Sequence, residues 1–521
     1  MAYDCIIFTD VTYTNLVYKP MGAYKLANHL RSSGYSCLVV DHFHTFTQQQ
    51  ILDIIAASVG PETKFVGFSI AFFNSVEGTN PMDPISDNTY KPLEYNQSFC
   101  PQGQAFEIAL VSAIHDINSH CKIVLGGAAR ISNQIKNPRV DYVISGFAEV
   151  AILDLVHSLE LGQVPGTAVK NIWGTHIIDG GSAESFDYQH SEMVWQPEDV
   201  AGIKVLQLDV SRGCKFNCTF CDWSMRGTKN NKWTREIDVL ASELQRNYDQ
   251  YGIYRYFVHD HTFNESDYKL NVVKQAVKQL TFQPIIWCHV RPDLLVKYPN
   301  RTDTMYEVGV RSMMMGIETL DPDVAKTVGK GLAPEKIIAE LKNIQQRYGN
   351  ELLTHGNFVI GLPGESIDSV LATAARLENG DISLHHWSYN ALMISTDHNN
   401  WWGSTYEQDP ARYGYTENKN TITTGFNIDY RKNSLMNWRN DHMTFEQAMH
   451  LNKKLYDSAA DNPAYLVDSM VSWALMGFTD LDFKGIQKLR PRDIDWFSVS
   501  KQRLHYLYDY KKNIIKHVHG K

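Results

Sequence analysis

Three cysteines within eight residues set the tightest constraint on this chain. In Ser211-Arg212-Gly213-Cys214-Lys215-Phe216-Asn217-Cys218-Thr219-Phe220-Cys221 they stand in a C-x3-C-x2-C spacing. The alternating apolar run from Val205 to Val210 reads as a strand, so the cysteines sit on the loop leaving it. Thiolates this close can hold one compact metal centre. Iron–sulfur cubanes are normally held by four cysteines. A set of three leaves one iron without a protein ligand and open to a small molecule. The competing reading is a zinc site completed by a histidine, with His259 and His261 as available donors. No second C-x2-C pair occurs in the chain, which counts against it.

The remaining five cysteines, Cys5, Cys37, Cys100, Cys121 and Cys288, are scattered and form no disulfide framework. A reducing cytoplasm is therefore the expected setting. The start, Met-Ala-Tyr-Asp, has no basic and apolar signal region, and no apolar run reaches membrane-spanning length. A net charge of −9 argues against a general nucleic-acid binder. At 521 residues the chain exceeds a single core and predicts about three domains.

The cysteine loop resembles that of the radical S-adenosylmethionine (SAM) family. The resemblance implies that Cys214, Cys218 and Cys221 hold a [4Fe–4S] cluster and that SAM chelates the fourth iron. There the reduced cluster passes one electron to the sulfonium, releasing methionine and a 5′-deoxyadenosyl radical. It places Phe220 beside the adenine.

Residues 1–162 read as alternating strand and helix. The strands are Cys5–Phe8, Cys37–Val40, Phe65–Phe72, Lys122–Leu125 and Tyr142–Ile144. The helices are Gly22–Ser33, Gln48–Val59, Ala105–Ile117 and Glu149–Leu159. This alternation predicts an α/β, doubly wound parallel sheet, Rossmann-like, with ligands beyond the carboxyl ends of its strands. Those ends carry small residues: Ser69 and Ala71, Gly126 and Gly127, Ser145 and Gly146. Glycine there permits close approach of a flat ligand, or merely a tight turn. Pro20-Met21-Gly22, Gly67-Phe68-Ser69, Leu125-Gly126-Gly127 and Asp141 to Glu149 resemble a cobalamin-binding domain. Such a domain before a radical SAM core implies a cobalamin (B12)-dependent radical SAM enzyme. One departure is the missing D-x-H-x-x-G signature. Asp10-Val11-Thr12 occupies that loop, so no histidine is expected below cobalt. The long interruption Ser75–Gln104 reads as a cover for a ligand or as a surface insertion.

Residues 163–203 read as a linker. Residues 204–400 repeat strand and helix, matching the partial (β/α)6 barrel that the resemblance implies. Polar residues gather at strand ends, where barrels build active sites. Gly316-Ile317-Glu318-Thr319 and Gly361-Leu362-Pro363-Gly364-Glu365 resemble SAM-contacting segments of the family. They make Glu318 and Gly361 candidate SAM residues, with His261 and Arg291 beside them. Arg291 is open to two uses, a bidentate pair with the SAM carboxylate or a bridge to Asp293. One of His385 and His386 is expected to enter the cavity. Cys288 reads as core.

Residues 401–521 read as a mainly helical C-terminal extension. It opens on an aromatic stretch with Trp401, Trp402 and Tyr406, and helices are expected at Thr444–Ala459 and Ala464–Met476. Its last 21 residues hold Lys501, Arg503, Lys511, Lys512, Lys516 and Lys521 against the single acid Asp509, which reads as a solvated helix face.

The resulting expectation is a radical SAM enzyme using cobalamin to methylate an unactivated carbon of a small-molecule or peptide substrate. An external flavodoxin- or ferredoxin-like one-electron reductant would feed it. A cyclase or rearrangement enzyme with the same cofactors is the alternative, and a non-enzymatic metal or cobalamin sensor is the third reading.

Overall fold

The computed structural model describes all residues except 1, 11–18, 70–98, 101, 127–136, 171–173, 181–185, 222–224, 229–230, 331, 395–403, 418–437, 463, 467–484, 486–487 and 521. Ala71, Gly127, Trp401 and Trp402 lie outside the described residues, as do most of Ser75–Gln104 and Ala464–Met476. The chain forms two compact units. One comprises 1–187, 193–203 and 500–521, and the other 188–192 and 204–499.

The first unit is built on a seven-stranded sheet. Its elements run β1 (Cys5–Phe8), α1 (Met21–Ser32), β2 (Cys37–Val40), α2 (Gln48–Ser58), β3 (Phe65–Ser69), α3 (Gln104–Ile117), β4 (Lys122–Gly126), β5 (Tyr142–Ser145), α4 (Glu149–Glu160), β6 (Ala168–Lys170), β7 (His176–Asp179) and the one-turn α5 (Pro197–Val200). The strand order is β2-β1-β3-β4-β5-β7-β6. Every pair is parallel except the β6–β7 edge. β1 and β2 are buried at every residue, as parallel strands covered on both faces must be. Thr47 caps α2 through a reciprocal box with Gln50, satisfying two end donors at once.

Two expectations are corrected here. The stretch 163–203 is not simply a linker, since β7 pairs with β5 and extends the sheet. These strands are three and four residues long, and Val169 is 70% exposed. They therefore carry no strong apolar period. The terminal helix Trp496–His519 also does not belong wholly to a separate extension, because residues 500–521 return to the first unit. Its Tyr510 hydroxyl accepts the Asp41 amide at 2.9 Å, at the end of β2. The Asp41 carboxylate in turn takes Lys19 at 3.1 Å and the Tyr24 hydroxyl at 2.7 Å. Burial alone would raise this carboxyl; Lys19, His42 and the tyrosines outweigh it and leave it below its ordinary value.

The second unit carries β8 (Leu206–Leu208), α6 (Ile237–Tyr251), β9 (Arg255–Val258), α7 (Asp267–Lys278), β10 (Ile285–Val290), α8 (Pro292–Lys297), α9 (Asn300–Glu307), β11 (Val310–Glu318), α10 (Pro322–Thr327), α11 (Pro334–Tyr348), β12 (Leu353–Ile360), α12 (Ile367–Glu378) and β13 (His386–Ala391). The six strands lie in sequence order, β13-β12-β11-β10-β9-β8, all parallel. Each strand after β8 is thus reached through a helical crossover, the partial (β/α)6 arrangement. Smaller elements follow: α13 (Thr405–Gln408), β14 (Thr416–Glu417), β15 (Trp438–Arg439) and α14 (Phe445–Asp461).

Candidate active site

The cysteine loop leaves β8 and is closed on itself by backbone bonds. Ser211 bridges to Thr234 and Cys214 to Arg226. The Gly227 amide donates to Phe216 O at 2.9 Å, and the Cys221 amide to Cys218 O at 3.2 Å. Gly213 takes φ +91°, a value that favours glycine, and a Cβ there would press on Thr228 at 3.0 Å. All three cysteines are half-buried free thiols.

A buried acid anchors the loop. Asp260, past the end of β9, accepts the Val210 and Ser211 amides at 2.8 and 3.1 Å and the Ser211 hydroxyl at 2.6 Å. Lys269 on α7 neutralises it at 2.9 Å and is itself 0% exposed. Burial works against the Asp260 charge, but Lys269 and Ser211 outweigh it, so the carboxyl sits below its usual range. Lys269 also pairs with Glu265 at 3.0 Å. Sequence reading passed over both residues. A carboxylate that turns back onto a loop 49 residues earlier leaves no local pattern.

β11 ends in an irregular register between Gly316 and Glu318, and Glu318 takes φ +67°. A non-glycine residue in the left-handed region is strained, and such outliers cluster at functional sites. The bulge turns its carboxylate onto the Lys330 ammonium, 3.3 Å away, which also donates to Gly316 O at 2.9 Å. Lys330 is a third residue that sequence reading missed.

Gly361 follows β12 with φ +98°, and a Cβ there would fall 2.3 Å from the Trp438 ring. Its glycine is therefore demanded by packing and by backbone conformation. The Gly361 and Leu362 amides donate to Glu365 at 2.9 and 3.4 Å. Burial holds the Glu365 carboxyl up at about 7, against the pull of the Gly361 amide and Thr319.

Arg291, at the end of β10, bridges to Asp293 at 2.9 and 3.0 Å. It also donates to Cys218 Sγ at 3.1 Å. Cys214 Sγ lies 3.4 Å from Thr262 Oγ1. Thr219 in the loop donates to the Tyr406 hydroxyl at 2.7 Å, so Tyr406 seats the loop from α13. The structure thus brings Cys218 and Arg291 together, with Gly329 O 3.2 Å from the guanidinium and the next residue, Lys330, paired to Glu318. His259 and His261 are exposed past β9. His385 and His386 are both buried and held by partners: His385 Nδ1 accepts the Thr354 amide at 3.0 Å, and His386 lies 3.1 Å from the Tyr465 hydroxyl. Cys288 is fully buried core.

The loop offers three thiolates, the number that leaves one iron of a cubane open. Zinc needs four donors about 2.0–2.3 Å from one point. Among the described residues no group of three His, Cys, Asp or Glu side chains, the loop cysteines included, is placed to hold a metal ion, so the choice of a cluster over zinc rests on the cysteine spacing.

In the first unit, Ser69 pairs in register with Gly126 at the carboxyl end of the sheet. Gly146 takes φ +96°, so its turn requires glycine. Gly126 has no such requirement: its φ is not positive, and among the described residues a Cβ would meet only Ile144 O, at 3.9 Å.

The sequence model of the Radical SAM superfamily matches residues 208–377, from the end of β8 to the end of α12. An uncharacterized methyltransferase of Pyrococcus horikoshii is 24% identical over 70% of this chain and 77% of its own length. A cytidylyl-2-hydroxyethylphosphonate methyltransferase of Streptomyces wedmorensis is 27% identical over 36% of each chain. The radical SAM methyltransferase TsrM from Kitasatospora setae, solved with cobalamin and a [4Fe–4S] cluster bound, superposes over 97% of this chain and 100% of that one. The TM-score is 0.63 at 14% identity. That likeness is one of fold.

Proposed function

From a chain whose residues 208–377 are a radical SAM domain, we propose a cobalamin-dependent radical SAM methyltransferase acting on an unactivated carbon. The observation that carries the reading is the closed loop presenting Cys214, Cys218 and Cys221 at the carboxyl end of β8, with the strained Glu318 on the same sheet. The methyltransferase names of the two relatives support the reaction class, and the lack of a side chain at Gly126, at the carboxyl end of β4, supports a corrin.

Cys214, Cys218 and Cys221 would hold the [4Fe–4S] cluster and leave one iron for SAM. Bound together, cluster, SAM and cobalamin supply radical formation, hydrogen abstraction and methyl delivery. The chain's own part is binding and exclusion. Asp260 and Lys269 hold the loop. Glu318 would accept the SAM ammonium, Phe220 would lie beside the adenine, and the Gly361–Glu365 turn would close one side of the site. Ser69, Gly126 and Gly146 form the corrin edge. His289, whose imidazole is held down to about 4 by burial and the nearby His261, stays neutral near pH 7 and neither gives nor takes a proton there.

The substrate is a small molecule or peptide, and electrons arrive singly from a flavodoxin- or ferredoxin-like protein. No described helix is long and apolar enough to cross a membrane. All eight cysteines are free thiols, which accords with a cytoplasmic setting. The test is anaerobic reconstitution with iron, sulfide and hydroxocobalamin, then SAM and reductant. S-adenosylhomocysteine together with 5′-deoxyadenosine is expected. 5′-Deoxyadenosine alone, with no retained corrin, would refute the methyl-transfer reading.

A further inference from the structure

Arg291 has an environment that ligand binding alone does not explain. The residue is only 5% exposed. Its Nε and Nη2 donate to the two oxygens of Asp293 at 2.9 and 3.0 Å. Nη2 also reaches Gly329 O at 3.2 Å. Nη1 points at Cys218 Sγ, 3.1 Å away. The guanidinium carbon sits 3.8 Å from the centroid of the Phe216 ring, inside the same cysteine loop. Its backbone is clamped as well: its amide donates to Asn264 Oδ1 and its carbonyl accepts Asn264 Nδ2, both at 3.0 Å. Stacking, a bidentate fork and one donor directed at sulfur fix the plane of the group. A lysine ammonium could not reproduce that combination.

We propose that Arg291 positions and tunes the iron–sulfur cluster through the Cys218 sulfur, rather than binding the SAM carboxylate. The inference rests on the functional reading above, since it needs Cys218 to be a cluster ligand. Adding one electron makes the cluster more negative. A cationic hydrogen-bond donor on a ligand sulfur stabilises that added charge and raises the potential, one of the levers proteins use on such centres. Asp293 opposes part of this field while holding the fork in place. The group thus sets how readily an external donor reduces the cluster, without touching the reacting atoms.

The test is a redox titration of the reconstituted full-length chain, followed by electron paramagnetic resonance, without SAM and then with it. In Arg291→Gln the reduced-to-oxidised ratio at a fixed ambient potential is expected to fall about tenfold, a one-electron shift of about 59 mV to more negative values. Iron and sulfide content should stay near those of the unsubstituted chain, and the spectral change on adding SAM should persist. The double variant Arg291→Gln with Asp293→Asn keeps the local net charge, so a shift remaining there reports the sulfur hydrogen bond. An unchanged SAM-free potential, with the SAM-induced change lost, would overturn the proposal and return Arg291 to the SAM carboxylate. Should Arg291→Gln lose its iron, Arg291→Lys decides: a shift in the same direction supports the proposal. An unchanged potential, or iron loss from a folded chain in all three variants, overturns it and leaves a purely structural arginine. An unsubstituted chain that takes up no cluster would refute the functional reading itself.

Discussion

Gly126→Val separates fold from cobalamin binding. Gly126 ends β4 in register with Ser69, has no positive φ, and would place a Cβ no nearer than 3.9 Å to any other described atom, Ile144 O. A strand position of this kind favours a β-branched residue. Replacing glycine should leave stability unchanged or raise it by about 0.5–1 kcal/mol. The added methyl groups would instead occupy the edge to which the proposed function assigns the corrin. Overfilling a fitted contact costs about 1–3 kcal/mol, or roughly a 5- to 150-fold weaker dissociation constant. The assay is a visible-absorbance titration with hydroxocobalamin, with thermal unfolding run in parallel. Gly146→Val is the contrast. At φ +96° a β-branched residue is strained by about 1–3 kcal/mol, so that variant should lose stability first. Unaltered cobalamin affinity in a well-folded Gly126→Val protein would refute the reasoning.

Three further outcomes follow from the barrel unit. Lys269→Met leaves Asp260 charged and buried against the cysteine loop, which should cost about 3–5 kcal/mol; chemical denaturation and iron content after reconstitution would both fall. Glu365→Gln should flatten a pH dependence. The unfolded carboxyl loses its proton near 4.5, whereas the folded one keeps it to about 7. The folded state therefore binds more protons across that window, and stability falls as pH rises through it. The loss is about 3 kcal/mol at 1.36 kcal/mol per unit, read as the shift in urea midpoint from acid to neutral pH. Gly361→Ala drives a Cβ into Trp438 and strains a positive φ; a lowered melting temperature is expected, by an amount matching about 2 kcal/mol or more.

The strands were most legible where they are unbroken apolar runs, as in Cys5–Phe8 and in Cys37–Val40 before Asp41. The short edge pair β6–β7 was not, because half-exposed strands of three or four residues have no period to read. Nor could the return of the last helix be read, since Tyr510 meets Asp41 across 469 residues. The same division runs through the site. Cysteine spacing is a local signal, whereas Asp260–Lys269, Lys330 and the Arg291–Cys218 contact arise only when strand ends converge. Arg291 shows the limit best. Its residue type left a SAM contact and a bridge to Asp293 both open, and its neighbours Asp293, Phe216 and Cys218 show what it touches.

The central claim is that three cysteines hold a cluster whose fourth iron is left for SAM. Electron paramagnetic resonance of the reconstituted, reduced protein before and after SAM tests it most directly. A signal of a reduced [4Fe–4S] centre that changes on adding SAM, and that vanishes in Cys214→Ala, Cys218→Ala or Cys221→Ala, is the predicted result. One zinc per chain with no such iron signal, or a cluster spectrum indifferent to SAM, would contradict it.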